Sequence, residues 1–168
     1  MRIIKIIPLT IFLIVAFNQA NGQPKEPSTE HKKLSAIAGR WTIQGMEDRY
    51  LEICEMYQGG YFLVCNTEFK TKSGGLSKGV SIMGYSTEGK HITYYHYGSS
   101  GESQTLKGRI DDEGNLFFEG EELIKGKMTK TRVAMNKAGE NYNFKEETSV
   151  DNGPWTTSTE IVYIRVKQ

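Results

Sequence analysis

LSAIAGRWTI, residues Leu34 to Ile43, is the stretch on which the fold turns. Leu34 and Ile37 are spaced to share one face of a short helix, Ser28 is placed to cap it, and Gly39 to end it. Trp41 then opens the first of a long series of strand-like runs, the last finishing on Val162-Tyr163-Ile164-Arg165. The expectation is a helix closing one end of a β-barrel. Gly39, Trp41 and Arg165 would make the closure, with Trp41 and Arg165 meeting where the first and last strands join.

From Trp41 onward, strand-like runs fall at about 40–46, 49–57, 61–70, 76–86, 90–97, 102–111, 115–121, 127–136, 141–149 and 155–166. The breaks between them, such as Gln58-Gly59-Gly60, Ser73-Gly74-Gly75, Lys125-Gly126 and Asp151-Asn152-Gly153-Pro154, supply residues that take positive φ or start a tight turn. Connections this short leave no room for parallel crossovers, so the sheet is an antiparallel meander. A sheet of about ten strands with no covering helices must split into a sandwich or close on itself, and closure removes its edges. The predicted fold is all-β, an up-and-down meander barrel with a short N-terminal helix.

The chain ahead of the barrel reads differently. Met1 to Lys5 is basic, Ile6 to Phe17 is apolar, and Ala20-Asn21-Gly22 offers small residues where a signal peptidase reads. The apolar run is short for a bilayer span. Residues 1–22 are therefore predicted as a secretory signal peptide cleaved near Gly22, 23–29 as a proline-bearing linker, and 30–168 as one barrel domain. A secreted or periplasmic protein is the expectation. Without Arg2 and Lys5, the remaining chain carries 19 Lys and Arg against 20 Asp and Glu, a net charge of about −1. These charges are interspersed, with no basic block to follow a phosphate backbone. Neither nucleic acid nor, after cleavage, a membrane is an expected partner, and the oligomeric state is not legible.

Cys54 and Cys65 flank Gly59-Gly60 in a chain bound for an oxidising compartment. A two-residue turn at the glycines pairs Gln58 with Tyr61 and sets Cys54 opposite Cys65. A cross-strand disulfide is expected, with two buried free thiols as the alternative. In that register the cysteines fall on a hydrogen-bonded pair, whose Cα atoms stand farther apart, so a different turn would suit the bond better.

Alternation shows which side of several strands faces inward. Tyr142, Phe144, Glu146 and Thr148 share one side; Gln104, Leu106, Gly108 and Ile110 share another; Leu116 and Phe118, then Thr129, Thr131, Val133 and Met135, follow suit. The run from His91 to Tyr97 is aromatic on both sides, and Ile92, Tyr94 and His96 are assigned to the interior. Glu146 is the most informative of these, because an unpaired buried charge costs several kcal/mol or is neutralised. Either it orients a donor group of a ligand, or it lies near the barrel mouth, solvated or paired with a basic side chain. Glu146, His96, Tyr94, Tyr142 and Gln104 are the candidate ligand-binding residues, and such side chains are equally normal in a packed barrel core.

Gly39-Arg40-Trp41 after a helical turn, followed by strands alone and a late Arg165, resembles the lipocalin-like, or calycin, barrels. In those families a basic residue of the last strand packs across the tryptophan. Guanidinium over indole is a cation–π contact, and its forked donors can satisfy free carbonyls of the helical turn. The chain is more closely similar to a family of bacterial lipocalin-like barrels classed only as a domain of unknown function. Leu34, Ile37, Gly39 and Trp41, then Gly60-Tyr61-Phe62-Leu63, Gly84-Tyr85-Ser86 and Tyr163-Ile164-Arg165 carry that likeness over nearly the whole mature chain. Tyr61 stands where the family often has arginine and Ser86 where it often has aspartate, so any shared polar site there is altered. The resemblance implies a barrel and a cavity, without an established activity.

Motifs for chemistry are sparse. There is no Cys-x-x-Cys or His-Glu-x-x-His, and His31, His91 and His96 lack ligand-like spacing. No Gly-x-Ser-x-Gly elbow occurs, and Gly120 to Lys127 and Asp111 to Asn115 miss the spacings of phosphate and calcium loops. No metal or cofactor is expected. His96 as a haem ligand ranks below His96 as a hydrogen-bonded core residue. Three function classes remain: a barrel holding a small, largely apolar molecule, which fold analogy favours; a filled barrel acting through its outer surface; and an enzyme using inward polar groups. The last ranks lowest, as no paired acid and base is recognisable.

Overall fold

The computed structural model describes residues 26–167, so the predicted signal peptide at 1–22 lies outside the described residues. Ser28 stands in extended conformation ahead of a short helix, α1 (Thr29–Lys33), which tightens into a 3₁₀ turn over Leu34–Ala36. Leu34 and Ile37 share its inner face, both buried. Gly39, at φ 138°, turns the chain from this plug into the barrel wall. That conformation suits glycine, and a Cβ there would run into the Arg165 guanidinium.

Ten strands follow: β1 (Gly39–Ile43), β2 (Tyr50–Tyr57), β3 (Phe62–Lys70), β4 (Leu76–Ser86), β5 (His91–Gly98), β6 (Ser103–Ile110), β7 (Leu116–Ile124), β8 (Lys127–Ala138), β9 (Asn141–Val150) and β10 (Thr156–Arg165). Each pairs antiparallel with its sequence neighbours, and β1 also pairs with β10, closing the ring. Trp41 is the Cα partner of Arg165 in that closing ladder. The meander barrel expected from the sequence is the fold.

Three boundaries differ from expectation by more than one residue. β1 stops at Ile43 rather than at residue 46. β7 runs on to Ile124 and β8 to Ala138. Ladder pairing continues past the layer where side chains are buried, ending on Ile124 opposite Lys127. Lys125 and Gly126, at φ 50° and 79°, then make the two-residue turn that matches strand twist. The β2–β3 connection is also longer than a two-residue turn. Tyr57 and Phe62 are the last pair, and a 3₁₀ turn over Gln58–Gly60 joins them, with Gly59 and Gly60 at φ 67° and 93°. That connection keeps Cys54 opposite Cys65 but makes theirs a close pair, with Cα atoms 4.0 Å apart, and the two are joined in a disulfide.

The core gathers at the plugged end. Leu34, Ile37, Trp41, Leu63, Ile92, Ile110, Leu116 and Tyr142 are buried there with the disulfide. Lys33 ties the plug to the β6–β7 hairpin through Asp112, at 2.9 Å, and pairs with Glu30 at 3.0 Å. His31 lies edge-on between Tyr61 and Tyr85, with ring centroids 5.3 and 5.4 Å away. Tyr61 thus packs on the plug, and the Ser86 hydroxyl accepts the Gly89 amide at 3.0 Å in its turn. Tyr61 and Ser86 therefore serve packing and a turn.

Candidate functional site

Inward side chains change character along the barrel. From the plug outward, β6 presents Ile110, Gly108, Leu106, then Gln104; β9 presents Tyr142, Phe144, then Glu146; β2 presents Met56, Cys54, then Glu52; β4 presents Met83, then Ser81. Between the apolar and polar layers lies a cavity of about 140 Å³. Ile37 of the plug, Leu106, Leu116, Phe118, Met135 and Phe144 give it apolar walls, while Glu52, Ser81, Tyr94, Gln104, Glu146 and Tyr163 supply its polar groups.

Closure at the plug is a set of matched donors and acceptors. The Arg165 guanidinium lies 4.2 Å from the Trp41 ring centroid and donates to the carbonyls of Ala38 at 2.9 Å and Ala36 at 3.0 Å. The Trp41 indole N–H donates to the Ile37 carbonyl at 2.7 Å. The orphan acceptors at the end of the short helix are thereby satisfied from outside it.

Of the five residues singled out as ligand contacts, Glu146, Tyr94 and Gln104 line the cavity together. His96 sits beyond them. Its Nδ1 is 3.0 Å from the Ser81 hydroxyl, which is also 3.1 Å from the Tyr94 hydroxyl, so His96, Ser81 and Tyr94 form a hydrogen-bonded chain. Gly79 opposite leaves space for the imidazole, since a Cβ there would come within 2.8 Å of its Cε1. Tyr142 lies at the plugged end, edge-on to Trp41 at 5.5 Å, and its buried hydroxyl has no hydrogen-bond partner among the described residues.

Glu146 lies toward the mouth, where the Ser158 hydroxyl, set out of line by a bulge in β10, donates to its Oε1 at 2.6 Å. The more deeply placed carboxyl is Glu52, which the sequence reading passed over. Thr67 donates to its Oε1 at 3.2 Å, and among the described residues no cation pairs with it. Burial pushes its carboxyl up to about 7, with the Thr67 hydroxyl opposing. Tyr94 is pushed up to about 12 by burial, and its phenol feels the charges of Glu52 and Glu146. Tyr50 and Tyr163, whose hydroxyls lie 3.4 Å apart, are raised by burial too, and both feel Glu52. Three phenols therefore lie close enough to one carboxyl to feel its charge.

Glu52 was hard to see because β2 carries apolar residues on both faces. Leu51 and Ile53 look more like core than Glu52 and Met56 do. The parity of Cys54 was the available signal, since a residue two positions away shares its face. Glu52 and the cysteine sulfurs lie within 4.8 Å of one another, but both sulfurs are held in the disulfide, so no thiolate is available to a metal ion.

A family model described as a protein of unknown function (DUF1579) matches residues 26–165. No curated protein matches the chain.

Proposed function

The chain belongs to the DUF1579 family of proteins of unknown function, and on that premise we propose that it is a secreted, lipocalin-like barrel that binds a small molecule inside. The observation that carries this reading is the cavity of about 140 Å³, apolar on the plug side and polar toward the mouth. That volume resembles a cavity of about 150 Å³ known to take benzene, and falls below the roughly 300 Å³ at which drug-sized sites begin. The ligand is then about one ring in size, which sets aside haem and long acyl chains. The disulfide and the basic-apolar leader support an oxidising destination outside the cytoplasm.

A screen of single-ring compounds by side-chain methyl NMR tests the reading. Compounds that shift Met83, Leu106, Leu116 and Met135 at sub-millimolar concentration would support it; silence of those methyls across the screen at millimolar concentration would overturn it. The second reading, a module acting through its outer wall, draws on Ile82 and Tyr95, cross-strand partners that are both exposed beside exposed Tyr97.

A further inference from the structure

The polar lining of the cavity has one sign. Glu52 and Glu146 are acidic, Ser81, Tyr94, Gln104 and Tyr163 are neutral, and none of the lining residues is lysine, arginine or histidine. At the plug, the Arg165 guanidinium is committed to Trp41 and two carbonyls. Glu52 is enclosed with one hydroxyl donor and no counter-charge among the described residues. A carboxylate can accept about four hydrogen bonds, so most of its capacity is unused.

Besides Thr67 and the disulfide sulfurs, the groups near it are aromatic. Tyr50 and Tyr163 pack edge-on at 5.9 Å, Phe144 packs on Tyr163 at 5.8 Å, and Tyr94 packs on Phe118 at 5.9 Å. Ring faces attract a desolvated cation, and a carboxylate completes its charge. We propose that the cavity takes a small primary ammonium on a single-ring apolar body, with the nitrogen paired to Glu52 among Tyr50, Tyr94 and Tyr163 and the ring toward Ile37, Leu106, Leu116 and Phe118. This rests on the interior-binding reading above and names the chemistry of its ligand. The same lining disfavours a carboxylate ligand, whose charge would face Glu52 and Glu146 with no cation to offset it.

Benzylamine, benzyl alcohol and benzoate have nearly the same shape and differ in the charge of one group. Titration calorimetry of the purified protein at pH 8 should find benzylamine bound at least tenfold more tightly than benzyl alcohol, and benzoate more weakly than either. Benzoate equal to or tighter than benzylamine overturns the proposal. Benzyl alcohol bound with no preference for the amine overturns it too, while leaving the binding barrel intact. Silence of all three overturns this inference, and the wider single-ring screen decides whether the binding barrel falls with it.

Two further measurements locate the charge. Glu52→Gln, which keeps an acceptor for Thr67, should bring benzylamine to the level of benzyl alcohol; a surviving tenfold preference overturns the assignment. In the unaltered protein, benzylamine affinity should fall between pH 8 and 5, approaching tenfold per unit below about 7 as Glu52 takes up its proton, with benzyl alcohol unchanged. Facing Glu52 are Thr67 from β3, Tyr94 from β5 and Tyr163 from β10, with Tyr50 on its own strand, Glu146 across the cavity on β9, and His96 one layer outward on β5. Glu52→Gln should flatten the pH response if it belongs to Glu52, and a response that survives the substitution overturns the assignment.

Discussion

The two ends of this barrel treat polar groups in opposite ways. At the plug, the guanidinium of Arg165 and the indole of Trp41 each find acceptors on the short helix, and Lys33 is paired on both sides. The Tyr142 hydroxyl is the exception there. In the cavity beyond the plug, Glu52 is enclosed with a single hydroxyl for company among the described residues, and Glu146, nearer the mouth, is answered by Ser158. The first arrangement contributes stability, because the guanidinium, indole and ammonium donors that left water found partners. The second costs stability, because a carboxyl was enclosed without a counter-charge. An expense of that kind, placed beside a cavity, is the observation that motivates the proposed ligand chemistry.

Breaking the plug should have the largest effect. Trp41→Ala removes a buried ring that touches Tyr142 and Arg165, and should lower the unfolding free energy by about 3–5 kcal/mol in urea titration. A loss below 1 kcal/mol would mean the plug is not the stable end.

Glu52→Gln should sharpen the contrast with the opposite sign. The folded pKa of Glu52, about 7, lies above its ordinary 4.5, so the folded state holds the proton more tightly than the unfolded chain does. Its contribution is therefore most favourable below pH 4.5, declines as pH rises to about 7, and is flat above. The fall is about 3 kcal/mol across that window. The glutamine variant should lack that decline and be the more stable protein at pH 8, as read from unfolding midpoints at pH 5 and pH 8.

Next in size is the disulfide, which closes a loop of sequence separation 11 on the side of the barrel shared by plug and cavity. Replacing Cys54 and Cys65 together with alanine should cost about 2–3 kcal/mol, measurable by denaturant titration against the disulfide-bonded parent. Glu146→Gln should be the mildest. Near the mouth and held by one serine, it should move stability within about 0.5 kcal/mol while changing the affinity of whatever small molecule the cavity takes. A larger effect on stability than on affinity would place Glu146 with the plug's structural residues.

Much of this was legible in one dimension. Period-two alternation put Phe144 and Glu146, Leu106 and Gln104, and Leu116 and Phe118 on the inner face, and turn residues marked where each strand ends. Alternation does not say how far along the barrel axis a residue lies. Tyr142 and Glu146 share a face of β9, yet one packs against Trp41 and the other lines the cavity near the mouth. Nor does it resolve a strand that is apolar on both sides, which is why Glu52 went unnoticed between Leu51 and Ile53.

The sequence by itself determined the architecture: short connections compel an antiparallel meander, an open edge compels closure, and LSAIAGRWTI with Arg165 specifies how one end is shut. These are local or pairwise demands, readable from residue type and spacing. The tertiary structure alone decided the chemistry of the interior. Glu52, Tyr94 and Tyr163 come from three strands far apart in the chain, and only their register around the ring turns them into one carboxyl among phenols. Burial, and the raised pKa that follows from it, belongs to that convergence and to no residue's neighbours in sequence.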